Sequence, residues 1–229
     1  MKRWSFAIGS LLLSACATEA APRLSCGSDG PYTYYFPAGT FAEKPDPDRL
    51  PPADENHDGE LRVRQRYSES LSYLGAGSLS CGAPTAAEAY RLVWLRSFHA
   101  PVIILVSRNA GLPTLDLILP DEKQHGGKAI LRQRHALSSS EWLRLTEALE
   151  EIDFWDLRPN DELTGAFRIP GSDKVQVRLG GKDGARWIIE GRSGRYHVVD
   201  RWSDGDDVVA VGRIFLELAQ LNIPEEDIY

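Results

Sequence analysis

The sequence predicts an α+β fold, a mainly antiparallel sheet with two helices packed on one side. Three observations lead there. Short runs rich in β-branched and aromatic residues follow one another between Gly, Pro and Asn, as in a meander of strands. Two stretches, around residues 139–155 and 207–222, carry apolar residues at helical spacing. Strands and helices do not alternate regularly, which argues against a doubly wound parallel sheet.

The elements follow in order along the chain. Residues 17–31 are small, polar and turn-forming, suited to a tether. Tyr32-Thr33-Tyr34-Tyr35-Phe36 is strand-like by its aromatic and β-branched content. Prolines at 37, 45, 47, 51 and 52 then keep any regular element from persisting, so a loop is expected. Patterning resumes near Leu61, and residues 90–98, 102–106 and 115–119 read as strands. Residues 128–137 alternate, with Ile130, Arg132 and Arg134 set against Ala129, Leu131 and Gln133, and form another.

The period then changes. Ser138 and Glu141 make a capping box, and Trp142, Leu145, Leu149, Ile152 and Trp155 fall near one helical face, with Pro159 as a stop. Residues 174–179 and 186–190 read as strands, and 196–202 as the partner of the second. A last helix is expected over 207–222, capped by Ser203 or Asp204 and closed by Pro224, with Val208, Val211, Phe215 and Leu218 inward. The resulting division is residues 1–15 as a signal peptide, 16–60 as a lipidated tether and proline-rich loop region, and 61–229 as a single α+β domain.

The start of the chain reads as an export signal: Lys2 and Arg3, then an apolar run from Trp4 to Leu13, then small residues before a cysteine. That run is too short to span a bilayer, which takes about 20 apolar residues. Leu13-Ser14-Ala15-Cys16 resembles the lipobox of bacterial lipoproteins. The resemblance implies that Cys16 carries a lipid, of the palmitate type, and becomes the first residue of the mature chain. Ala17 is not the aspartate that tends to retain such proteins in the inner membrane, so the resemblance implies the periplasmic face of the outer membrane of a Gram-negative bacterium. The alternative is a plain secretory signal cut near Ala20 or Ala21, leaving a soluble periplasmic protein.

The composition, 42% hydrophobic and 26% charged, is that of an ordinary globular domain. A net charge of −7, more acidic once the signal is removed, argues against nucleic acid and anionic lipid surfaces as partners. With Cys16 lipidated, Cys26 and Cys81 remain, and in an oxidising compartment they are expected to form a disulfide. Closing so long a loop stabilises by about 3 to 4 kcal/mol if unstrained. A catalytic thiol, the other reading, needs a histidine and a cationic or helix-terminal setting that the sequence does not mark.

Arg192-Ser193-Gly194-Arg195 is a turn between two strands. With a two- or four-residue loop, Gly191 faces Tyr196, Glu190 faces His197 and Trp187 faces Asp200. Glu190, His197 and Arg201 then share one face with Ile188, Val199 and Arg186. A carboxylate opposite a histidine, with an arginine beside them, is a candidate general acid/base pair. It is equally an ordinary cross-strand ion pair worth under about 1 kcal/mol. Gly191 across from Tyr196 suggests that the ring covers the missing side chain.

Other constellations are weaker. Asp54, Asn56 and Asp58 with Gly59 match the first half of a calcium loop, but its twelfth position is Gln65 and Pro51-Pro52 precedes it. The alternatives are a weak structural calcium site and a solvated Asp-Gly turn. The 5 histidines have no zinc-ligand spacing. Gly-x-Ser-x-Gly is absent, Gly75-Ala76-Gly77-Ser78 follows no strand long enough to be a phosphate loop, and no cofactor is expected. Trp94, Trp142, Trp155, Trp187 and Trp202 raise the idea of a sugar platform, although core packing suits their places in strands and helices.

Residues 90–99 and 187–203, with Phe154-Trp155 between them, resemble a group of uncharacterised bacterial proteins, many of them exported. The likeness spans Tyr90 to the end, supports a single domain and implies no activity. The expected function is that of a membrane-anchored periplasmic lipoprotein, a non-enzymatic module binding an envelope protein or polymer. The alternative is an envelope hydrolase using Glu190 and His197.

Overall fold

A computed structural model describes residues 26–29, 32–42, 59–81, 86–121, 130–160, 165–168, 171–172, 174–178, 183–202 and 207–228. Residues 13–16, with Cys16, and Asp54, Asn56 and Asp58 lie outside the described residues. So do the expected helix caps Ser203 and Asp204. In chain order the strands and helices are β1 (Ser28–Asp29), β2 (Tyr32–Thr33), α1 (Gly59–Tyr73), β3 (Glu88–Arg96), β4 (Val102–Arg108), β5 (Thr114–Pro120) and β6 (Ile130–Ala136). There follow α2 (Ser139–Glu151), β7 (Gly165–Arg168), β8 (Val175–Arg178), β9 (Ala185–Ser193), β10 (Arg195–Trp202) and α3 (Asp207–Leu218).

The main sheet has six antiparallel strands in the order β10-β9-β3-β4-β5-β6, and β7 and β8 pair separately. The expected meander is β3 to β6, and the late hairpin β9-β10 adds to it through β3. Seven consecutive residues of β3, Ala89 to Leu95, are buried, which requires cover on both faces of the sheet. Tyr90, Leu92, Trp94, Trp187, Ile189 and Val199 point to one face, against Trp142, Leu145 and Leu149 of α2 and Val208, Val211 and Phe215 of α3. These are the two expected helices on one side. Trp94 and Trp187 are direct cross-strand partners, fully buried, with ring centroids 4.8 Å apart.

The opposite face carries Val93, Leu95, Ile103, Ile118, Ile188 and Val198, packed against Tyr67, Leu71 and Leu74. Its cover is α1, which the sequence did not announce as a helix. The buried residues of α1 are Arg64, Tyr67, Ser68 and Leu71, spaced i, i+3, i+4, i+7, but half of that stripe is polar. Each polar member has a local partner. Ser68 Oγ donates to Arg64 O at 2.7 Å and accepts from Tyr35 N at 3.0 Å, and the Arg64 guanidinium lies 4.0 Å over the Tyr34 ring.

Phe36 and Phe41, from the stretch expected to be strand and loop, pack edge-to-face at 5.1 Å and complete this second core with Tyr67. The strand expected over 32–36 is ladder-paired only at Tyr32 and Thr33, opposite Ser28 and Asp29, because the aromatic rings after it turn into the core. Cys26 and Cys81 are joined by a disulfide, with Cα atoms 5.8 Å apart, which ties this N-terminal segment to the chain beyond α1.

The expected capping box opens α2: Ser138 Oγ accepts from Glu141 N at 3.2 Å and Glu141 Oε2 accepts from Ser138 N at 2.7 Å. The helix ends before Ile152 and Trp155, and α3 ends at Leu218 rather than near 222. The reason is the same in each case: the chain takes a left-handed residue just past the helix. Asp153 (φ 50°) and Gln220 (φ 55°) close α2 and α3, as Gly75 (φ 61°) closes α1. Pro159 and Pro224 lie beyond stops already made. At α1, Ala76 N donates to Leu71 O at 2.8 Å and Gly75 N to Ser72 O at 2.9 Å, the two bonds of a Schellman ending.

Gly212 of α3 packs against the Trp187 indole, and a Cβ there would come within 2.3 Å of Trp187 Cε3 and 2.7 Å of Cζ3. Gly212→Ala is expected to lower the unfolding free energy by about 1 to 3 kcal/mol through overpacking, despite the better helix propensity of Ala by about 1 kcal/mol. Urea unfolding checks it, and a neutral or stabilising result would mean that the indole moves aside freely.

Candidate functional site

The β9-β10 pairing differs by one residue from the sequence expectation. Ser193 pairs with Arg195 and Arg192 with Tyr196, so three residues, with Gly194 at φ 65°, turn the chain. An odd loop reverses the parity of every pair after it. Gly191 therefore faces His197, and Glu190 faces Val198. Arg186, Ile188 and Glu190 share the α1 face with Tyr196, Val198 and Asp200, while Trp187, Ile189 and Gly191 share the other with His197, Val199 and Arg201. Glu190 and His197 lie on opposite faces of the sheet, so the expected acid/base pair is not formed. Arg201, on the His197 side, is buried, and its Nη1 donates to Asp200 O at 2.9 Å.

Glu190 is instead paired across the other edge of β9. Its direct partner on β3 is Arg91, whose Nε and Nη2 both lie 2.5 Å from Glu190 Oε2. Tyr196 Oη donates to Glu190 Oε1 at 2.9 Å. Burial first, and then the Glu190 carboxylate, push the Tyr196 phenol far above its usual range, so it stays protonated as a donor. Arg91 is 3% exposed and Glu190 0%. The sequence carries a signal for this pair: Arg91 is the one charge within the buried run Ala89 to Leu95, and Glu190 directly follows the apolar Trp187-Ile188-Ile189.

Arg91 has a second task. Its Nη1 donates to Gly77 O at 2.5 Å, in the segment leaving α1. Arg132 Nη2 from β6 donates to Leu74 O at 2.7 Å and Gly75 O at 3.0 Å, and Arg192 Nη1 from β9 to Leu79 O at 2.9 Å. Three guanidiniums from three strands thus hold one loop by its carbonyls, and Cys81 holds its far end through the disulfide.

That loop forms one wall of a groove of about 560 Å³ on the α1 face, over β3 to β6. Ile103, Leu105 and Ile118 supply an apolar floor, and Arg91, Asp116, Arg132 and Arg134 supply charge. Asp116 and Arg134, direct partners on β5 and β6, form a two-pronged pair with Nε to Oδ1 at 2.5 Å and Nη2 to Oδ2 at 2.9 Å. The volume lies in the range usual for small-molecule sites.

On the other face His197 packs edge-on against Phe154 at 5.1 Å and tilted against Trp155 at 6.4 Å. Burial holds its pKa below the usual imidazole range, and the Arg195 charge acts in the same direction against a hydrogen bond to the Leu157 backbone. Gly191, its cross-strand partner, leaves room for Phe154, since a Cβ there would come within 2.6 Å of Phe154 Cε1. The missing side chain is therefore filled by Phe154, not by Tyr196.

The remaining candidates are placed as follows. Trp94, Trp142 and Trp187 are buried in the core, and Trp155 and Trp202 are partly buried, so they form no common platform. Gly59 and Gln65 of the calcium-loop motif lie in α1, where Gln65 Nε2 donates to Glu69 Oε1 at 2.9 Å. Among the described residues no three His, Cys, Asp or Glu side chains gather as a metal site. No helix among them is long and apolar enough to cross a membrane. No protein-family model matches this chain, and no curated protein is significantly similar to it.

Two measurements follow from this geometry. Glu190→Leu strands the Arg91 charge in the interior and is expected to cost about 3 to 5 kcal/mol, whereas Arg91→Leu combined with Glu190→Leu costs much less than the two singles added. Additive urea-unfolding energies would refute the coupling. For His197 the folded pKa lies below the unfolded value of about 6.5, so its neutral form contributes stability above that pH that is lost as pH falls toward the folded pKa. Wild type is expected to lose more stability than His197→Gln between about pH 7.5 and 5.5, and parallel curves would refute the assignment.

Proposed function

We propose that this chain is an envelope lipoprotein, lipidated on Cys16, facing the periplasm from the outer membrane, whose α+β domain binds a partner and catalyses no reaction. The observation that carries the binding reading is the groove on the α1 face. It combines an apolar floor, a charged rim and a wall held rigidly by Arg91, Arg132 and Arg192. Such a surface recognises without needing a reacting group.

The export half of the reading rests on Leu13-Ser14-Ala15-Cys16 behind an apolar run. The Cys26–Cys81 disulfide supports it, because such bonds persist in oxidising compartments. The hydrolase alternative loses its geometric support, since Glu190 and His197 face opposite sides of the sheet and Glu190 is consumed by Arg91 and Tyr196. The partner is an envelope protein or polymer, reached from a membrane tether; an acidic chain suits neither nucleic acid nor an anionic membrane surface.

In cells, fatty-acid labelling is expected on the wild-type chain and none on Cys16→Ser. In-cell crosslinking with mass spectrometry is expected to recover an envelope partner that is lost with the anchor. Labelling that survives Cys16→Ser would refute lipidation, and a lipidated chain that crosslinks to nothing would refute the interaction reading.

A further inference from the structure

We infer that the outer edge of β6 takes up an extended, acidic segment of a partner protein as one further strand of the main sheet. The inference rests on the proposed binding function and names the form in which its partner is held. Its first support is the contrast between the two ends of the sheet. At the β10 end the outer side is occupied: Asp200 N donates to Pro159 O at 2.7 Å, and Asn160 bridges to Asp200. At the β6 end, among the described residues, no strand or bridge lies on the outer side. The direction of the backbone groups there follows from the ladder. Leu137 N donates to Pro113 O at 2.8 Å, which continues the β5-β6 register and makes Leu137, and with it His135, Gln133 and Leu131, the residues that bond to β5. The N–H and C=O groups of Arg132, Arg134 and Ala136 therefore point outward. Leu131 to Arg134 and Ala136 are exposed, and the unbroken register with β5 leaves neither a bulge nor a proline in β6 to blunt the edge. Such an edge is a template for another strand.

The second support is the kind of strand this edge admits. Arg132 and Arg134 share the α1 face, so a second copy of this chain fits poorly. The antiparallel registers that use most of β6 centre on Arg132, Gln133 or Arg134 when the outward groups are to bond, and they set Arg132 opposite Arg132, Arg132 opposite Arg134, and Arg134 opposite Arg134. Like charges face each other directly in every one of them. Carboxylates at alternate positions of an incoming strand meet the same two arginines as opposite charges. The carboxylate opposite Arg132 contributes more, because Arg134 already has Asp116 across the ladder, whereas Arg132 faces Ile118 and, among the described residues, is bound through Nη2 to the carbonyls of Leu74 and Gly75. On the other face the residue opposite Leu131, which is 38% exposed, is expected to be apolar. The segment therefore carries acidic, polar, acidic and apolar residues in succession. Arg132 and Arg134 also line the groove on the α1 face, so the acidic side chains of such a strand lie along its rim.

The test is a fluorescence-anisotropy titration of labelled peptides with the full chain carrying Cys16→Ser, which keeps the acyl anchor out of the measurement. The acidic probe is Thr-Val-Glu-Thr-Glu-Val-Thr, whose symmetry sets glutamates opposite Arg132 and Arg134 in either strand direction, and the basic control is Thr-Val-Lys-Thr-Lys-Val-Thr. The acidic peptide is expected to bind about fivefold more tightly than the basic one, the reverse of what the net charge of −7 alone would favour. Arg132→Glu is expected to abolish that preference. Ala136→Pro removes an outward N–H and leaves the bonds to β5 intact, so it is expected to weaken the acidic peptide about tenfold while the urea-unfolding midpoint stays in place. No binding of the acidic peptide at about 1 mM, equal affinities for the two peptides, or a wild-type dimer in sedimentation that Ala136→Pro dissociates would each overturn the inference. In cells, anchor-dependent crosslinks that persist in Ala136→Pro would overturn it too and leave the proposed function standing, whereas their absence from the wild type would remove the basis of both.

Discussion

Glu190 is a side chain with no exposure in a strand flanked on both sides, and it is held there by Arg91 directly across the ladder and by Tyr196, which donates to its second oxygen. Removing either partner would leave a charge or an acceptor buried without compensation, which is far more costly than never having placed it there. The pair also acts beyond the sheet. Through its remaining nitrogen Arg91 grips Gly77, so the carboxylate that orients Arg91 indirectly positions the loop that follows α1. The groove wall, the seating of α1 and the disulfide-linked N-terminal segment all lean on that arrangement.

The two faces of the sheet solve the same covering problem differently. Under α2 and α3 the core is almost wholly apolar and holds the Trp94–Trp187 stack, so that burial alone is enough to fix it. Under α1 the core contains two buried acids, and each takes one arginine and one tyrosine hydroxyl. Glu190 has Arg91 and Tyr196, and Asp200 has Tyr67 at 2.7 Å and Arg186 at 3.5 Å. Directional polar contacts replace part of the apolar cover there and leave β4 to β6 partly open. That opening is the groove.

The face under α2 and α3 is sealed over its core, and its half-buried His197 sits in an aromatic corner made by Phe154 and Trp155. The face covered by one helix keeps a groove over β3 to β6, lined by the partly exposed Leu105 and by arginines that also hold its wall. A disulfide that anchors the loop at Cys81 keeps the wall in place without drawing on the limited core of that side.

The sequence by itself determined the features that depend on residues close together in the chain. The capping box at Ser138 and Glu141, the meander of β3 to β6 and the turn at Gly194 are local, and each was legible from spacing and turn chemistry. The Cys26–Cys81 bond is expected from a sequence with 3 cysteines, of which Cys16 lies in the lipobox-like segment. The tertiary structure alone decided what depends on parity and on distant partners. One residue more or less in the turn exchanges the faces of a whole strand, and the sequence Arg192-Ser193-Gly194-Arg195 is compatible with both parities, so Glu190 and His197 were separable only in the fold. Helix α1 was hidden because Arg64 and Ser68 occupy its inward stripe, and a polar residue there is acceptable only when Tyr34 and Tyr35, brought from elsewhere in the chain, are present to receive it.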